Sequence, residues 1–460
     1  MSAQDAARPL AAEFDPARDA LRATRLVAGL LQGLVLYLLY LAADNRNWPA
    51  SDPYWMAPLV MVSIFVPLLF MQGVGTMRTR TLAIWCGVVA VTLALLAWFD
   101  VWRQWDPAKA GFDSSMTFAF VFFTSAGLFI GQSLVAAGDS ERRRVASYHA
   151  YFDAAWKLGV QLALAAVFVG VFWGVLWLGA TLFELIRLSF VETLIEKSWF
   201  AIPATTLATA AAIHLTDVRS RLVAGIRTVA LTLLSWLLPL MVVIGGGFVL
   251  SLPFTGLAPL FDTRSATAIL LTSAGVLVVL INAAFQDGDP AITRPRTLRF
   301  AEFAAALILV PIVAIAAYAL WLRVAQYGWT VERVATAATI LVAAFYACGY
   351  AFAALSSLRG GPWMVWIEWT NIVTAVVIVG LLLLLFTPIA DPARLAVNSQ
   401  VARLQSGSLD PHLFDFDYLR SEGGRYGRDA LNVLASGGNK KIATMAKDEL
   451  NGTFTLTPQP

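Results

Sequence analysis

The chain has 460 residues, of which 58% are hydrophobic and only 14% are charged, and its formal net charge is +3. Soluble domains carry about 25% charged residues, so this composition excludes a water-soluble fold. Apolar runs of roughly 20 residues recur along the chain, and backbone in lipid must satisfy its hydrogen bonds within such runs, which predicts membrane-spanning helices.

The first 25 residues are polar and lead directly into an apolar run of full spanning length. No small-residue cleavage site follows them, so this run is predicted to be a retained first helix rather than a signal peptide. The predicted spans are residues 26–43, 54–75, 81–99, 115–137, 156–183, 200–216, 222–250, 265–285, 300–322, 333–354 and 363–387. The sequence therefore predicts an all-α bundle of about eleven spans over 26–387, between a polar segment (1–25) and a small, mostly helical tail (388–460).

Lys and Arg are distributed unevenly between the two sides of these predicted spans. The segments on the side of the N-terminus carry 17 of them, the short loops on the other side carry 8, and the tail carries 8. Because positive residues favour the cytoplasmic side, the N-terminus is expected inside and the tail outside a bacterial inner membrane. The same Arg-rich segments explain the net charge, so no nucleic-acid partner is expected.

Three glycine pairs with GxxxG spacing lie in predicted spans, and such pairs let two helix backbones approach closely. They indicate packing within the chain or, alternatively, a seam between two copies of it. Membrane lipids are expected partners of the spanning helices. A second copy of the chain or an envelope protein is a further possible partner. The pairs are Gly29 and Gly33, Gly127 and Gly131, and Gly170 and Gly174.

Polar and ionisable groups inside a membrane are costly and mark candidate functional sites. Six of them fall within the inner quarter of their predicted helices, with Arg227 about 8 Å deep at 1.5 Å per residue. They are consistent with a polar vestibule on the cytoplasmic side, in which Arg227 pairs with Glu302 or Glu368. The alternative is interfacial snorkelling and structural pairing. The six residues are Arg227, Glu302, Glu368, Asn371, Asn282 and His214.

Near the outer end of the fifth predicted span, Glu184 and Arg187 are three residues apart and are expected to share a helix face. They are interpreted as an intrahelical ion pair or, alternatively, as a substrate contact. No charged residue falls at the midplane of any predicted span. Coupled carriers usually place a carboxylate there, so the pattern argues against an ion-coupled pump and leaves uncharged or lipid-like substrates open.

The chain has two cysteines and three histidines, and none of them shows the spacing of a metal site. No P-loop, GxSxG or HExxH motif is present, so the sequence predicts no catalytic residue, metal or cofactor.

The predicted outer tail begins with Asp391-Pro392, which predicts a helix through about Gln405. The alternation in FDFDYLR (414–420) predicts an extended segment with three rings on one side. A second helix is predicted from about Tyr426 to Leu434, and an amphipathic stretch over 440–450. Four aromatics are expected to dock on the Trp102–Trp105 loop or on Gln326–Thr330, with partner recognition as the alternative. They are Phe414, Phe416, Tyr418 and Tyr426.

Four stretches of the chain resemble the bacterial membrane-protein family known as domain of unknown function 4153. They are WKLGVQLALAAVFVGVFWGVLWLGATLFELI (156–186) with WFAIP (199–203), SWLLPL (235–240), QYGWTVERV (326–334) and FDFDYLRSEGGRYGRDAL (414–431). The GRYG segment is the most specific of these. The resemblance implies a multi-spanning inner-membrane protein with an outer C-terminal segment, and it implies no reaction.

Three functional classes are compatible with this sequence. The number of helices, their Pro and Gly residues and the inner polar groups favour a transport-like or lipid-handling protein. A structural or sensory scaffold would instead bind envelope partners through the tail. A membrane enzyme acting on a lipid-linked substrate would use outer carboxylates such as Asp100.

Overall fold

A computed structural model of the chain describes residues 16–104, 117–218, 220–261, 265–288, 294–360 and 362–451. Regular secondary structure in these residues is entirely helical. Eleven of the described helices are long and apolar enough to cross a membrane, and each overlaps one predicted span. The predicted fold class is confirmed, and the protein is a multi-pass α-helical membrane protein.

The eleven spanning helices alternate with short helices and loops and are followed by four helices of the tail. The spanning helices are α1 (Pro16–Asp44), α2 (Pro53–Gly73), α3 (Thr79–Gln104), α4 (Phe118–Glu141), α5 (Tyr148–Leu185), α7 (Ser198–Val218), α8 (Ser220–Thr255), α10 (Ala266–Phe285), α11 (Arg296–Tyr327), α12 (Val331–Leu358) and α13 (Trp366–Leu385). The short ones are α6 (Phe190–Ile195) and α9 (Ala258–Phe261), and the tail contains α14 (Pro392–Gln405), α15 (Phe416–Ser421), α16 (Gly424–Ala435) and α17 (Lys440–Leu450).

The described residues form two compact units, which divides the region that the sequence analysis treats as one bundle. The first unit takes the described residues of 1–52, 59–93 and 157–224, and the second takes those of 53–58, 94–156 and 225–460. The tail thus belongs to the second unit, together with α10 to α13.

In the first unit, α1 and α7 pack closely because two glycines of α1 face α7. A Cβ atom at Gly29 would lie 2.5 Å from the Cβ of Ala210, and one at Gly33 would lie 2.5 Å from the Cα of Pro203. Distances this short leave no room for a side chain, so this GxxxG pair serves packing within the chain. Cβ atoms at Gly170 and Gly174 of α5 would meet no described atom within 4 Å.

In the second unit, the core lies among α10, α11 and α12. Three alanines lie on the buried face of α11, and Ala301, Ala305 and Ala316 are almost inaccessible, as is Leu309 between them. This spacing puts them on one helix face, and small side chains there let the neighbouring helices approach. These helices place the polar groups described below.

The tail begins as predicted, with an Asp-capped helix. The Oδ1 atom of Asp391 accepts a hydrogen bond from the backbone N–H of Ala393 (2.8 Å), with Pro392 at the first helical position. Asp391 is fully buried and lies 3.8 Å from the Nη1 atom of Arg103. Burial raises the pKa of the Asp391 carboxyl, and Arg103 opposes part of that rise. This residue therefore ties the start of the tail to the end of α3.

The predicted extended conformation of residues 414–420 is wrong. The side chain of Asp415 accepts a hydrogen bond from the N–H of Tyr418 (3.0 Å) and starts the short helix α15. An Asp cap satisfies a backbone N–H at the start of the helix that would otherwise have no partner. This cap outweighs the extended conformation that the alternating pattern predicts. The helix α16 begins at Gly424 and includes the predicted stretch, and α17 coincides with the predicted amphipathic one.

Candidate functional site

Four uncharged polar side chains form a buried network in the second unit. Asn371 on α13 donates to the hydroxyl of Tyr148 on α5 (3.0 Å) and to the Oδ1 atom of Asn282 on α10 (2.6 Å). The hydroxyl of Tyr350 on α12 donates to Oδ1 of Asn371 (2.6 Å) and accepts from Asn282 (2.7 Å). The network therefore joins four spanning helices.

Each member of this network uses its hydrogen-bonding capacity on another member or on its own helix. Asn282 also donates to the carbonyl of Val278 (2.8 Å), and the side chain of Tyr350 is fully buried. Buried polar groups that satisfy one another rigidify a core and leave no donor for a passing solute. The sequence identifies Asn282 and Asn371, and the structure brings them together. Tyr148 was not predicted because it precedes the predicted fifth span. Tyr350 was not predicted because a tyrosine near the end of an apolar run is also typical of a membrane interface.

A chain of ionisable groups lies beside this network. Arg227 on α8 forms an ion pair and a hydrogen bond with Asp153 on α5. His149 lies 3.3 Å from Asp153 through Nε2 and 3.3 Å from Asp287 through Nδ1. The side chains of Arg227, Asp153 and His149 are all partly exposed, so these residues present charge at the surface of the second unit.

The predicted partner of Arg227 is therefore wrong, because the guanidinium pairs with Asp153 and not with Glu302 or Glu368. The predicted fifth span starts at residue 156, which placed Asp153 in a loop. In the structure α5 begins at Tyr148 and carries Asp153 on its first turns. No property of the sequence alone shows which carboxylate α5 brings to α8.

The other two acids of the predicted set lie elsewhere in the second unit. Glu302 is fully buried, accepts a hydrogen bond from Nε1 of Trp363 (2.7 Å) and lies 3.9 Å from Nε of Arg294. Glu368 lies against Gly288, where an added Cβ would approach its Oε1 atom to 2.7 Å. Glu302 therefore has Trp363 as a structural partner, a pairing that the sequence does not predict.

The predicted residues His214, Glu184 and Arg187 lie on α7 and around the end of α5. His214 belongs to the first unit and lies one helical turn before Asp217 on α7. The predicted shared face of Glu184 and Arg187 is wrong, because α5 ends at Leu185 and Arg187 adopts a left-handed backbone conformation (φ 61°). The N–H of Arg187 donates to the carbonyl of Glu184 (2.8 Å), which closes the helix end through the backbone.

A groove of about 600 Å³ runs between α8 and α10 in the second unit. Its walls are almost wholly apolar, and several of its side chains are exposed. Gly275 lines the groove, and an added Cβ there would meet no described atom within 4 Å. The lining residues are Leu234, Leu237, Leu240, Met241, Ile244, Thr272, Gly275, Val276, Val279 and Leu280.

Arg227 is on the same face of α8 as this groove. Residues seven apart on a helix fall on nearly one line, so Arg227, Leu234 and Met241 form a continuous stripe. At 1.5 Å per residue, Arg227 lies about 10 Å beyond Leu234. The apolar groove therefore leads along α8 to the group of charges formed by Arg227, Asp153 and His149.

The aromatic residues of the tail divide into two pairs. The expectation that all four dock on loops is wrong for Phe414 and Phe416, which are buried in the tail's own small core. The hydroxyl of Tyr418 accepts from the N–H of Val331 (3.0 Å), next to the predicted Gln326–Thr330 contact.

The second tyrosine of the tail packs edge to face on an indole. The ring of Tyr426 lies 5.6 Å from that of Trp102, and the guanidinium of Arg425 lies 4.6 Å from the same indole. Gly424 has φ 53°, and a Cβ there would lie 2.5 Å from the carbonyl of Arg103. The GRYG segment thus fits the end of α3. Trp105, the other predicted contact, lies outside the described residues.

The described residues contain no group of three or more His, Cys, Asp or Glu side chains placed to hold a metal ion.

A family model described as domain of unknown function (DUF4153) matches residues 56–436. No curated protein and no solved structure matches the chain.

Proposed function

The chain belongs to the DUF4153 family, and we propose that the protein binds a membrane lipid, with an acyl chain in the groove between α8 and α10. The lipid headgroup lies at the charged group of Arg227, Asp153 and His149. The observation that carries this proposal is the continuous stripe on α8, along which an apolar groove ends at a charged, partly exposed cluster.

The dimensions and chemistry of the groove support an acyl chain as its occupant. A volume of about 600 Å³ is within the roughly 300–1,000 Å³ that is typical of small-molecule sites. The groove lies on membrane-spanning helices, where hydrocarbon is the surrounding solvent. The Arg227 guanidinium can bind the phosphate of a phospholipid headgroup, and the Asp153 carboxylate beside it can accept hydrogen bonds from the polar substituent of that headgroup.

The uncharged network supports binding rather than passage of a polar solute. Tyr148, Asn282, Tyr350 and Asn371 satisfy one another and hold α5, α10, α12 and α13 together. The network therefore holds α10, the helix that forms one side of the groove, in place.

We further propose that the protein lies in a bacterial inner membrane with its N-terminus inside and its tail outside. The uneven distribution of Lys and Arg supports this orientation, and it puts Arg227 in the cytoplasmic leaflet. A reporter fused after Pro388 is expected to be active outside, and one fused near Arg143 inside. A cytoplasmic signal from the fusion after Pro388 would contradict the orientation.

Filling the groove is expected to remove the bound lipid without unfolding the protein. In Gly275→Leu the new side chain enters open space, because an added Cβ meets no described atom within 4 Å. We expect the variant to retain its wild-type melting temperature in detergent. Native mass spectrometry should show at least a tenfold lower fraction of protein with one tightly held phospholipid.

The matched control is Gly380→Leu on α13, where an added Cβ also meets no described atom within 4 Å. It repeats the same change of composition away from the groove and should retain lipid like the wild type. Equal lipid retention in wild type and Gly275→Leu would contradict the proposal and favour the scaffold class.

A further inference from the structure

The first unit contains a cluster of charged groups that is separate from the groove. Arg25 on α1 is fully buried, and its Nη2 atom lies 2.8 Å from Oδ2 of Asp217 on α7. Its Nε and Nη2 atoms also donate to the backbone carbonyls of Met71 and Val74 (both 2.9 Å). Lys157 on α5 contacts the other oxygen of Asp217 at 2.9 Å. The Asp217 carboxylate therefore pairs with two cations, Arg25 and Lys157.

This cluster contains buried polar atoms without a hydrogen-bond partner. Among the described residues, these atoms are Nη1 of Arg25 and Nδ1 of His214, and Nε2 of Gln72, the residue after Met71, is also buried without a partner. Arg25 is 0% exposed and Gln72 7% exposed, so bulk water does not satisfy them. Nη1 of Arg25 and Nε2 of Gln72 are donors. A buried donor without an acceptor costs about 1–3 kcal/mol, so an added acceptor atom would stabilise this part of the unit.

The charges of the cluster show the same imbalance. The charged groups that act on the His214 imidazole are Arg25, Arg22 and Asp217, and Lys157 adds a third cation. Two cations thus contact the Asp217 carboxylate, and a third, Arg22, acts on the neighbouring His214. Lys157 is 46% exposed and Arg22 is also exposed, so an anion can approach from the surface of the unit.

We propose that this cluster binds the phosphate group of an anionic phospholipid, through Arg25, Lys157 and His214. A phosphate supplies several acceptor oxygens and negative charge together, which are the two properties that the cluster lacks. The site lies at the end of spanning helices, where lipid headgroups are found. It is independent of the proposed groove, because it consists of residues of the first unit alone.

The test uses the full-length protein reconstituted in vesicles of equimolar phosphatidylglycerol and phosphatidylcholine. Native mass spectrometry of the extracted protein should show preferential retention of phosphatidylglycerol. Lys157→Gln removes one charge-assisted hydrogen bond at a half-exposed position, so it should lower this retention about tenfold. The control is Lys197→Gln, an exposed lysine of the same unit that follows α6, and it should retain the lipid like the wild type.

A second variant separates binding from a structural role. His214→Leu removes a proposed phosphate ligand whose Nδ1 atom has no hydrogen-bond partner among the described residues. It should weaken phosphatidylglycerol retention while leaving the melting temperature equal or higher. A second measurement adds inorganic phosphate to the delipidated protein. If phosphate raises the melting temperature of the wild type but not of the variants, and phosphatidylglycerol is not retained, the site binds a free anion. This result would overturn the proposal that the phosphate belongs to a lipid. Equal retention in wild type, Lys157→Gln and His214→Leu would overturn the phosphate site itself.

Discussion

Replacing Gly33 with valine is expected to destabilise the first unit by about 3 kcal/mol, because the α1–α7 contact has no room for a side chain. An added Cβ would lie 2.5 Å from the Cα of Pro203, and backbone cannot move aside as a flexible side chain can. Thermal unfolding in detergent, followed by size-exclusion chromatography, measures the loss. We expect a lower melting temperature and an aggregated fraction.

Gly170 and Gly174 provide the control, since they have the same GxxxG spacing on α5. An added Cβ at either position meets no described atom within 4 Å, so Gly170→Val should change stability by no more than about 0.5 kcal/mol. A similar loss for Gly33→Val and Gly170→Val would show that both pairs are packed, and an unchanged Gly33→Val would contradict the α1–α7 contact.

Replacing Asn371 with alanine is expected to lower the free energy of unfolding by about 2 kcal/mol. The substitution removes a donor to Tyr148 and Asn282 and the acceptor of the Tyr350 hydroxyl. Hydrogen bonds between spanning helices contribute about 0.6 to 2 kcal/mol each, and the abandoned partners remain buried. Reversible unfolding in mixed micelles measures this loss.

The control for Asn371→Ala is Thr339→Ala on α12. The hydroxyl of Thr339 is exposed and bonds only to the carbonyl of Ala335 (3.0 Å) in its own helix. Its removal should stay within about 0.5 kcal/mol. Equal stability of Asn371→Ala and the wild type would mean that the network does not hold the four helices together.

The spanning helices were predictable because their signal is local. Length and apolar composition of a single segment decide whether it crosses the bilayer, and the structure confirms eleven such helices. The tail helices α14 and α17 were predictable for a similar reason, through the Asp391 cap and the amphipathic stretch. The alternating FDFDYLR pattern misled, since the cap formed by Asp415 outweighs it.

The candidate site was only partly predictable, because it depends on which helices meet. Asn282, Asn371 and Arg227 stand out as polar groups in apolar runs. Their partners Tyr148 and Asp153 lie at the start of α5, in residues that precede the predicted fifth span. The groove is formed by ordinary Leu, Val and Gly residues of α8 and α10, which carry no sequence signal of a binding site.

The most direct measurement of lipid binding is a density map of the full-length protein in nanodiscs of native lipid. We expect a continuous, chain-shaped density along the α8–α10 groove over Gly275, with headgroup density within hydrogen-bonding distance of Arg227 or His149. In Gly275→Leu this density should be absent, with the helices unmoved. A groove without ordered density in the wild type, while lipids are ordered elsewhere on the protein, would contradict the proposed function.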